Sequence, residues 1–267
     1  MKKFNIEEFF TFIVLLGFST LFYYLIFTGK IKTFISPKMI NYMMFALIMF
    51  TILTFYQGNK VFSPKNYKPI SSSYILLLLT LIIGFVSAEK GINLAIAENK
   101  TMSLPSYTNR DKLKAPSSNS KDEKVSENKL KETLSLTNDN TIVIDDGNFY
   151  KAVNDIGSNL EKYRSKKVVI TGFVFKREDF KEGEFVVGRM SMACCAADAQ
   201  VMGLMAKWAE AKNLEKDTWV NIEGVIQSTQ YSSLENNEAF TLPLIEVTKV
   251  EKIQTPENIY VYPDINK

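Results

Sequence analysis

The stretch FFTFIVLLGFSTLFYYLIF, residues 9–27, carries no charged side chain. A helix needs about 20 apolar residues to cross the roughly 30 Å hydrocarbon core of a bilayer. Two more apolar runs follow at residues 39–56 and 70–88. Three such runs close together are rarely core helices of a soluble protein, so we predict three transmembrane helices within residues 1–98. The first run is also longer than the apolar region of a signal peptide, which spans about 7–15 residues.

Residues 99–140 have a different composition, rich in Ser, Asn, Lys, Glu and Thr and nearly free of aromatic side chains. Such a segment cannot bury enough apolar surface to offset the entropy lost on ordering. We therefore expect a flexible polar linker that leads to a soluble domain at residues 141–267. Three spans that start inside the cell would make that domain extracytoplasmic, although lysines flank the spans on both sides and barely discriminate the orientation.

The charge is distributed unevenly along the chain. Residues 1–140 contain 17 Lys and Arg against 10 Asp and Glu, a net charge of +7, whereas residues 141–267 contain 15 against 19, a net charge of −4. The basic excess lies beside the predicted spans, where anionic lipid headgroups attract Lys and Arg. The acidic half is a poor match for nucleic acid, because phosphates require a basic face.

The pattern of the C-terminal part predicts a domain that is mostly β-strand. Alternating and β-branched runs predict strands at residues 141–145, Lys167–Phe175, 184–190, 219–227 and 242–253. One strand of the domain has no clear signal. Glycines inside two of the strands, Gly172 and Gly224, are typical of places where a small barrel bends. The pattern predicts a compact, partly closed five-stranded barrel of the OB type with one or two helices.

Two helices are expected in this domain. Asn148 is a suitable cap for the first, which would run to about Tyr163. The second is predicted over residues 197–214, between the second and third long strands. Its apolar stripe would consist of Val201, Leu204, Met205 and Trp208.

The whole chain lacks histidine and has only two cysteines, the adjacent Cys194 and Cys195. This composition excludes hydrolase triads built on histidine and zinc sites with a histidine ligand. No nucleophile is paired with a base in the sequence, so we assign no catalytic residue and expect no enzyme.

One segment is suited to carry chemistry, GRMSMACCAADAQ at residues 188–200. If a helix starts here, its first N–H groups lower the pKa of a cysteine thiol. Cys194, Cys195 and Asp198 would then form a site for a soft cation such as Cu(I), Zn(II) or trivalent arsenic. Two thiols are too few ligands for a tetrahedral zinc site, so water or a partner's group would complete it.

Alternatives remain open at this segment. The two cysteines are also compatible with a pair of small buried apolar side chains, or with a vicinal disulfide that has a redox role, although such a disulfide closes a strained ring. Arg189 is expected to form an ion pair with Asp198 or Asp179, and the other possibility is a contact with substrate.

The chain resembles the YcgQ-like family of uncharacterised bacterial membrane proteins. The resemblance rests on the three-span region and on the segments VVITGFVFK, RMSMACCAADA, WVNIEGVI and PENIYVYP. The resemblance covers nearly the whole chain, and its most specific part is residues 194–199. Members of the family are commonly encoded beside a YraQ-like predicted permease, a group that includes organoarsenical exporters. The resemblance implies an accessory permease subunit. It carries over Cys194, Cys195 and Asp198 as motif positions without established roles.

The sequence thus predicts a multi-pass cell-membrane protein, an accessory subunit of a permease. Its tethered domain would bind a thiophilic ion or solute through the cysteine pair. The expected partners are a YraQ-like permease and the lipid bilayer, and the expected cofactor is a soft metal ion, zinc or copper. Two other functions remain open, a membrane-anchored thiol redox protein and a structural protein-interaction module. The lack of a Cys-x-x-Cys motif and of a thioredoxin-like βαβ pattern counts against the redox function.

Overall fold

The computed structural model describes residues 6–61, 73–90, 102–103, 135–136, 141–232, 239–256 and 258–263. The chain divides into two compact units. The first consists of Met1–Ile96 together with Ala193–Asp198, and the second of Ala97–Met192 together with Ala199–Lys267.

Three long helices form the first unit: α1 (Ile6–Phe27), α2 (Ile40–Lys60) and α3 (Ser73–Lys90). The stretches Glu8–Phe27 and Pro37–Lys60 are long and apolar enough to cross a membrane, whereas the apolar part of α3 is shorter, Tyr74–Glu89. The first two predicted spans are therefore confirmed as helices of membrane-spanning length. Crossing by the third remains a prediction, and residues 70–72 of that span lie outside the described residues.

Helix α1 packs against both α2 and α3. A Cβ added at Gly17 would overlap the side chain of Leu81 on α3, so the absence of a side chain permits this close approach. Polar side chains also bridge the helices, with Ser19 Oγ 3.1 Å from Thr51 Oγ1. Small residues and interhelical hydrogen bonds are typical of helix packing in membranes.

The second unit contains nine described strands and two short described α-helices. The strands are β1 (Met102–Ser103), β2 (Ser135–Leu136), β3 (Ile142–Ile144), β4 (Lys167–Phe175), β5 (Glu184–Ser191), β6 (Gln200–Lys207), β7 (Trp219–Ser232), β8 (Ala239–Lys252) and β9 (Tyr260–Val261). The helices are α4 (Phe149–Ser158) and α5 (Leu160–Tyr163). The C-terminal part of the chain is therefore mostly sheet, as predicted.

Five of these strands pair in a closed circuit. Strand β4 pairs antiparallel with β5 and β7, β5 pairs antiparallel with β6, and β7 pairs antiparallel with β8. The circuit closes because β6 and β8 pair in parallel. Strand β9 adds to β5 in parallel, and β3 adds to β4 in parallel. The fully buried Ile170, Val187, Leu204 and Ile222 belong to one apolar core, with Ile156 of α4 packed among them.

The helix predicted over residues 197–214 is wrong. These residues form strand β6 and, after a turn, a short 3-10 helix at Ala211–Asn213. Strand β6 has neighbours on both sides, β5 and β8, and residues 201–206 are all buried. A strand buried on both faces has no apolar–polar alternation, so its pattern does not distinguish it from a helix. Strand β6 is the strand that had no clear signal in the sequence.

The other predicted strands are confirmed, three of them longer than predicted and β3 shorter. Gly224 lies at a register shift between β7 and β8, where an added Cβ would overlap the carbonyl oxygen of Glu246. The predicted first helix is divided into α4 and α5. Asn148 precedes it without a side-chain cap, because its amide instead accepts from Asp145 N at 2.9 Å and donates to Val143 O at 2.8 Å.

Two short strands lie within the predicted linker at residues 99–140. Strand β1 pairs in parallel with β6, and β2 pairs antiparallel with β3. The rest of that segment lies outside the described residues, so its flexibility remains a prediction.

Candidate thiol site

The turn at residues 193–198, here called the thiol turn, is organised around the side chain of Asp198. Its carboxylate accepts hydrogen bonds from the backbone N–H groups of Ala193 at 3.0 Å, Cys194 at 2.7 Å and Cys195 at 3.2 Å. The backbone N–H of Asp198 donates to Cys195 O at 3.0 Å. Asp198 was predicted inside a helix, but it lies in a turn that its own side chain holds together.

Both cysteines are free thiols at or near the surface. Cys194 is exposed and Cys195 is half-buried, so the interpretation of the pair as buried apolar side chains is wrong. Their sulfur atoms are 3.7 Å apart, well beyond the ~2.05 Å of a disulfide bond. The two sulfurs and a carboxylate oxygen of Asp198 all lie within 4.8 Å of one another. The predicted site residues are therefore adjacent in space.

The electrostatics of the turn are opposite to those predicted. The hydrogen bond to the Asp198 carboxylate, with a smaller contribution from Cys195, raises the pKa of Cys194 to about 11. Burial would raise the pKa of Asp198, but hydrogen bonds from Cys194 and from three backbone N–H groups outweigh it and lower that pKa. The expected lowering of the cysteine pKa by a helix start is wrong, because a turn lies here and β6 begins only at Gln200.

A raised thiol pKa is compatible with a metal site. The Cys194 thiol keeps its proton at neutral pH because a thiolate would lie beside a carboxylate. A bound cation supplies the missing positive charge and takes the place of the proton, so that binding and deprotonation are coupled. The turn thus favours a proton or a cation over a bare thiolate.

The thiol turn also pairs with the connection between α1 and α2 in the same unit. Ser36 N donates to Cys194 O at 2.9 Å, and Ala196 N donates to Phe34 O at 2.8 Å. Ile35 and Cys195 form an isolated antiparallel bridge. Sequence reasoning missed this pairing, because backbone hydrogen bonds leave no side-chain signal.

Arg189 does not pair with either of its predicted partners. Its Nη1 lies 2.5 Å from Oδ1 of Asp146. Asp179 instead pairs with Arg177, with Nε and Oδ1 3.1 Å apart, and accepts from Tyr231 OH at 2.5 Å. The prediction of an Arg189 ion pair with Asp198 or Asp179 is wrong in its partner, although an ion pair is present.

Two models of known protein domains together match most of the chain. Residues 10–103 match the DUF1980 N-terminal domain and residues 119–263 match the DUF1980 C-terminal domain. The chain therefore belongs to the DUF1980 family, whose relatives include the YcgQ protein, and the resemblance found in the sequence is confirmed.

Two relatives illustrate the family. The chain is 22% identical over 285 residues to UPF0703 protein YcgQ of Bacillus subtilis strain 168, and the match covers 95% of this chain and 99% of that protein. A protein of Streptococcus mutans serotype c, named "Putative two-component membrane permease complex subunit", is 24% identical over 102 residues, which covers 38% of this chain and 35% of that protein. This relative and the two apolar helices indicate association with a membrane.

Proposed function

We propose that this chain is an accessory subunit of a membrane permease and that it binds a thiophilic cation through Cys194, Cys195 and Asp198. The observation that carries the proposal is the cluster of two free thiols and a carboxylate with ligand atoms within 4.8 Å of one another. Thiolate ligands select Cu(I) and Zn(II) over magnesium or calcium, and they suit trivalent arsenic. The permease role is supported by the name of the Streptococcus mutans relative.

The three site residues have unequal roles in this proposal. The sulfurs of Cys194 and Cys195 are the principal ligands, because one is exposed and the other half-buried. The carboxylate of Asp198 already accepts three backbone hydrogen bonds. It therefore holds the turn in shape and supplies negative charge, and it is a secondary ligand. A four-coordinate ion with two protein ligands keeps two positions open, and one with three keeps a single position open, for water, a solute or a partner's group.

We further propose that α1, α2 and α3 all cross the membrane. The thiol turn pairs with residues 34–36, which follow α1, so both lie on the same side of the bilayer. Helix α2 returns the chain to the opposite side. A third crossing is then needed before residue 193, and α3 is the apolar helix between them. With the amino terminus inside the cell, the thiol turn is extracytoplasmic.

The remaining organisation follows the same proposal. The closed circuit of β4, β7, β8, β6 and β5 supports assignment of residues 141–267 to the OB class of barrels. Residues 1–98 form the transmembrane region and residues 99–140 the tether. The partner is a YraQ-like permease, and tethering keeps the thiol turn at high effective concentration beside it.

The test is a titration of the reduced full-length chain in detergent with Cu(I), Zn(II) and arsenite in separate experiments. We expect one equivalent to bind for at least one cation and to protect both thiols from alkylation. The Cys194→Ser/Cys195→Ser variant should bind none, whereas Glu210→Gln, which removes an exposed carboxylate elsewhere, should bind normally. Binding of none of the three cations, or equal binding by the double variant, would refute the proposal. A redox function would instead give a mass two units lower after mild oxidation, without cation binding.

A further inference from the structure

A fully buried arginine lies in the second unit. Arg189 on β5 has only 1% of its surface exposed. Its guanidinium carbon is 5.2 Å from the ring centroid of Trp219 and 5.8 Å from that of Phe149. Both distances are within the ~6 Å range of cation–π contacts. A buried charge nevertheless requires ionic and hydrogen-bonding partners as well.

Those partners are incomplete. The ion pair of Arg189 is with Asp146, through Nη1 and Oδ1 at 2.5 Å, and the Asp146 side chain is 58% exposed. Arg189 Nε has no hydrogen-bond partner among the described residues, and neither has the ring N–H of the buried Trp219. Buried donors are nearly always paired in folded proteins. The charge of Asp145 also acts on Arg189, but no hydrogen bond joins the two among the described residues. The two unpaired donors therefore indicate a site that can accept more oxygen atoms than Asp146 supplies.

The start of α4 lies beside Arg189. Phe149, whose ring faces Arg189, is the first residue of this ten-residue helix. The side chain of Asn148 accepts from Asp145 N and donates to Val143 O, both of which precede it in the chain, and it does not cap the helix. The backbone N–H of Phe149 donates to Asp145 O at 2.9 Å, so this helix start attracts an anion mainly through its dipole. The buried Arg189 and Trp219 donors are independent features that favour the same kind of ligand.

We propose that Arg189 anchors a binding site for the carboxylate group of a small molecule, and that Asp146 occupies this site as an internal counter-ion until the ligand displaces it. A carboxylate is the group that Arg189 already contacts, and its planar shape matches two parallel N–H donors of a guanidinium. The single positive charge of Arg189 and the net charge of −4 over residues 141–267 disfavour multiply charged anions. This site is independent of the thiol turn and of the cation proposed there.

The chain provides its own reporter for a test. It has two tryptophans, so Trp208→Phe leaves Trp219 as the only indole, 5.2 Å from the Arg189 guanidinium carbon. In this background, the full-length chain in detergent is titrated with sodium acetate against sodium chloride at constant ionic strength. We expect a saturable change in Trp219 emission with acetate and none with chloride.

The decisive variant is Asp146→Asn, which removes the internal competitor. We expect it to lower the apparent dissociation constant for acetate by about tenfold or more, because the binding-competent state becomes the major one. Arg189→Met should abolish the acetate response. Glu161→Gln, which breaks an exposed ion pair with Arg164, should leave it unchanged.

Each remaining outcome also decides the question. If Asp146→Asn is destabilised in chloride, acetate should restore its thermal midpoint, and failure of acetate to do so would overturn the proposal and leave the pair as a structural contact. An absence of any saturable acetate response in both the Trp208→Phe background and its Asp146→Asn derivative would overturn it as well.

Discussion

The raised pKa of Cys194 gives a quantitative prediction for Asp198→Asn. The carboxylate is the main cause of the rise from the ordinary value of 9.0 to about 11. Removing its charge should return the pKa most of the way, so the thiolate fraction at pH 8 increases by up to about a hundredfold. Each thiolate then becomes less nucleophilic, by up to about tenfold over two pKa units. The net expectation is a rate of reaction with a disulfide reagent about three to ten times faster.

The assay measures that rate between pH 7 and 11 in the Cys195→Ser background, which leaves Cys194 as the only thiol. Asp198→Asn also keeps only one of the two oxygens that accept from three backbone N–H groups, so the turn will loosen. A change in access alone scales the rate equally at every pH, whereas the electrostatic effect moves the midpoint towards 9. Glu210→Gln should leave both rate and midpoint unchanged. A midpoint that stays near 11 in Asp198→Asn would refute the electrostatic reasoning.

Three further predictions concern folding and topology. Trp219→Ala should lower the free energy of unfolding by ~3–5 kcal/mol, since the ring is 2% exposed. Trp208→Ala should lower it clearly less, because that ring is only partly buried. Denaturant unfolding measures both free energies, and equal losses would contradict the packing. Gly224→Ala should cost ~1–3 kcal/mol in the same assay, because its methyl group would overlap the Glu246 carbonyl oxygen, and a neutral effect would show that the register shift is not needed. A membrane-impermeant maleimide added to intact spheroplasts should label Cys194, the exposed thiol of a chain with two cysteines, whereas labelling only after lysis would reverse the proposed orientation.

The parts of the fold that the sequence predicted correctly are rich in β-branched residues or consist of a long apolar run. Strand β4 was predicted with its observed bounds, and α1 and α2 followed from uninterrupted apolar runs. Strand β6 was missed because both its faces are buried. Its Met, Leu and Ala residues also have high helix propensity, which reinforced the wrong assignment.

The candidate site was predicted in composition but not in conformation. Cysteines and an aspartate three and four positions apart meet on one face of a helix, and here they meet in a turn closed by the aspartate itself. The consequence for the Cys194 pKa was therefore reversed. The Asp146 partner of Arg189 and the pairing of the thiol turn with residues 34–36 are contacts between segments distant in sequence. No local pattern encodes them.

The central claim is that Cys194 and Cys195 together hold a soft cation. X-ray absorption at the metal edge of the full-length chain, loaded with one equivalent of Zn(II), measures the ligands directly. The account predicts two sulfur neighbours at about 2.3 Å, completed by oxygen ligands at about 2.0–2.2 Å. It also predicts one sulfur neighbour in Cys195→Ser and none in the double serine variant. A first shell of oxygen and nitrogen alone in the native chain would contradict it.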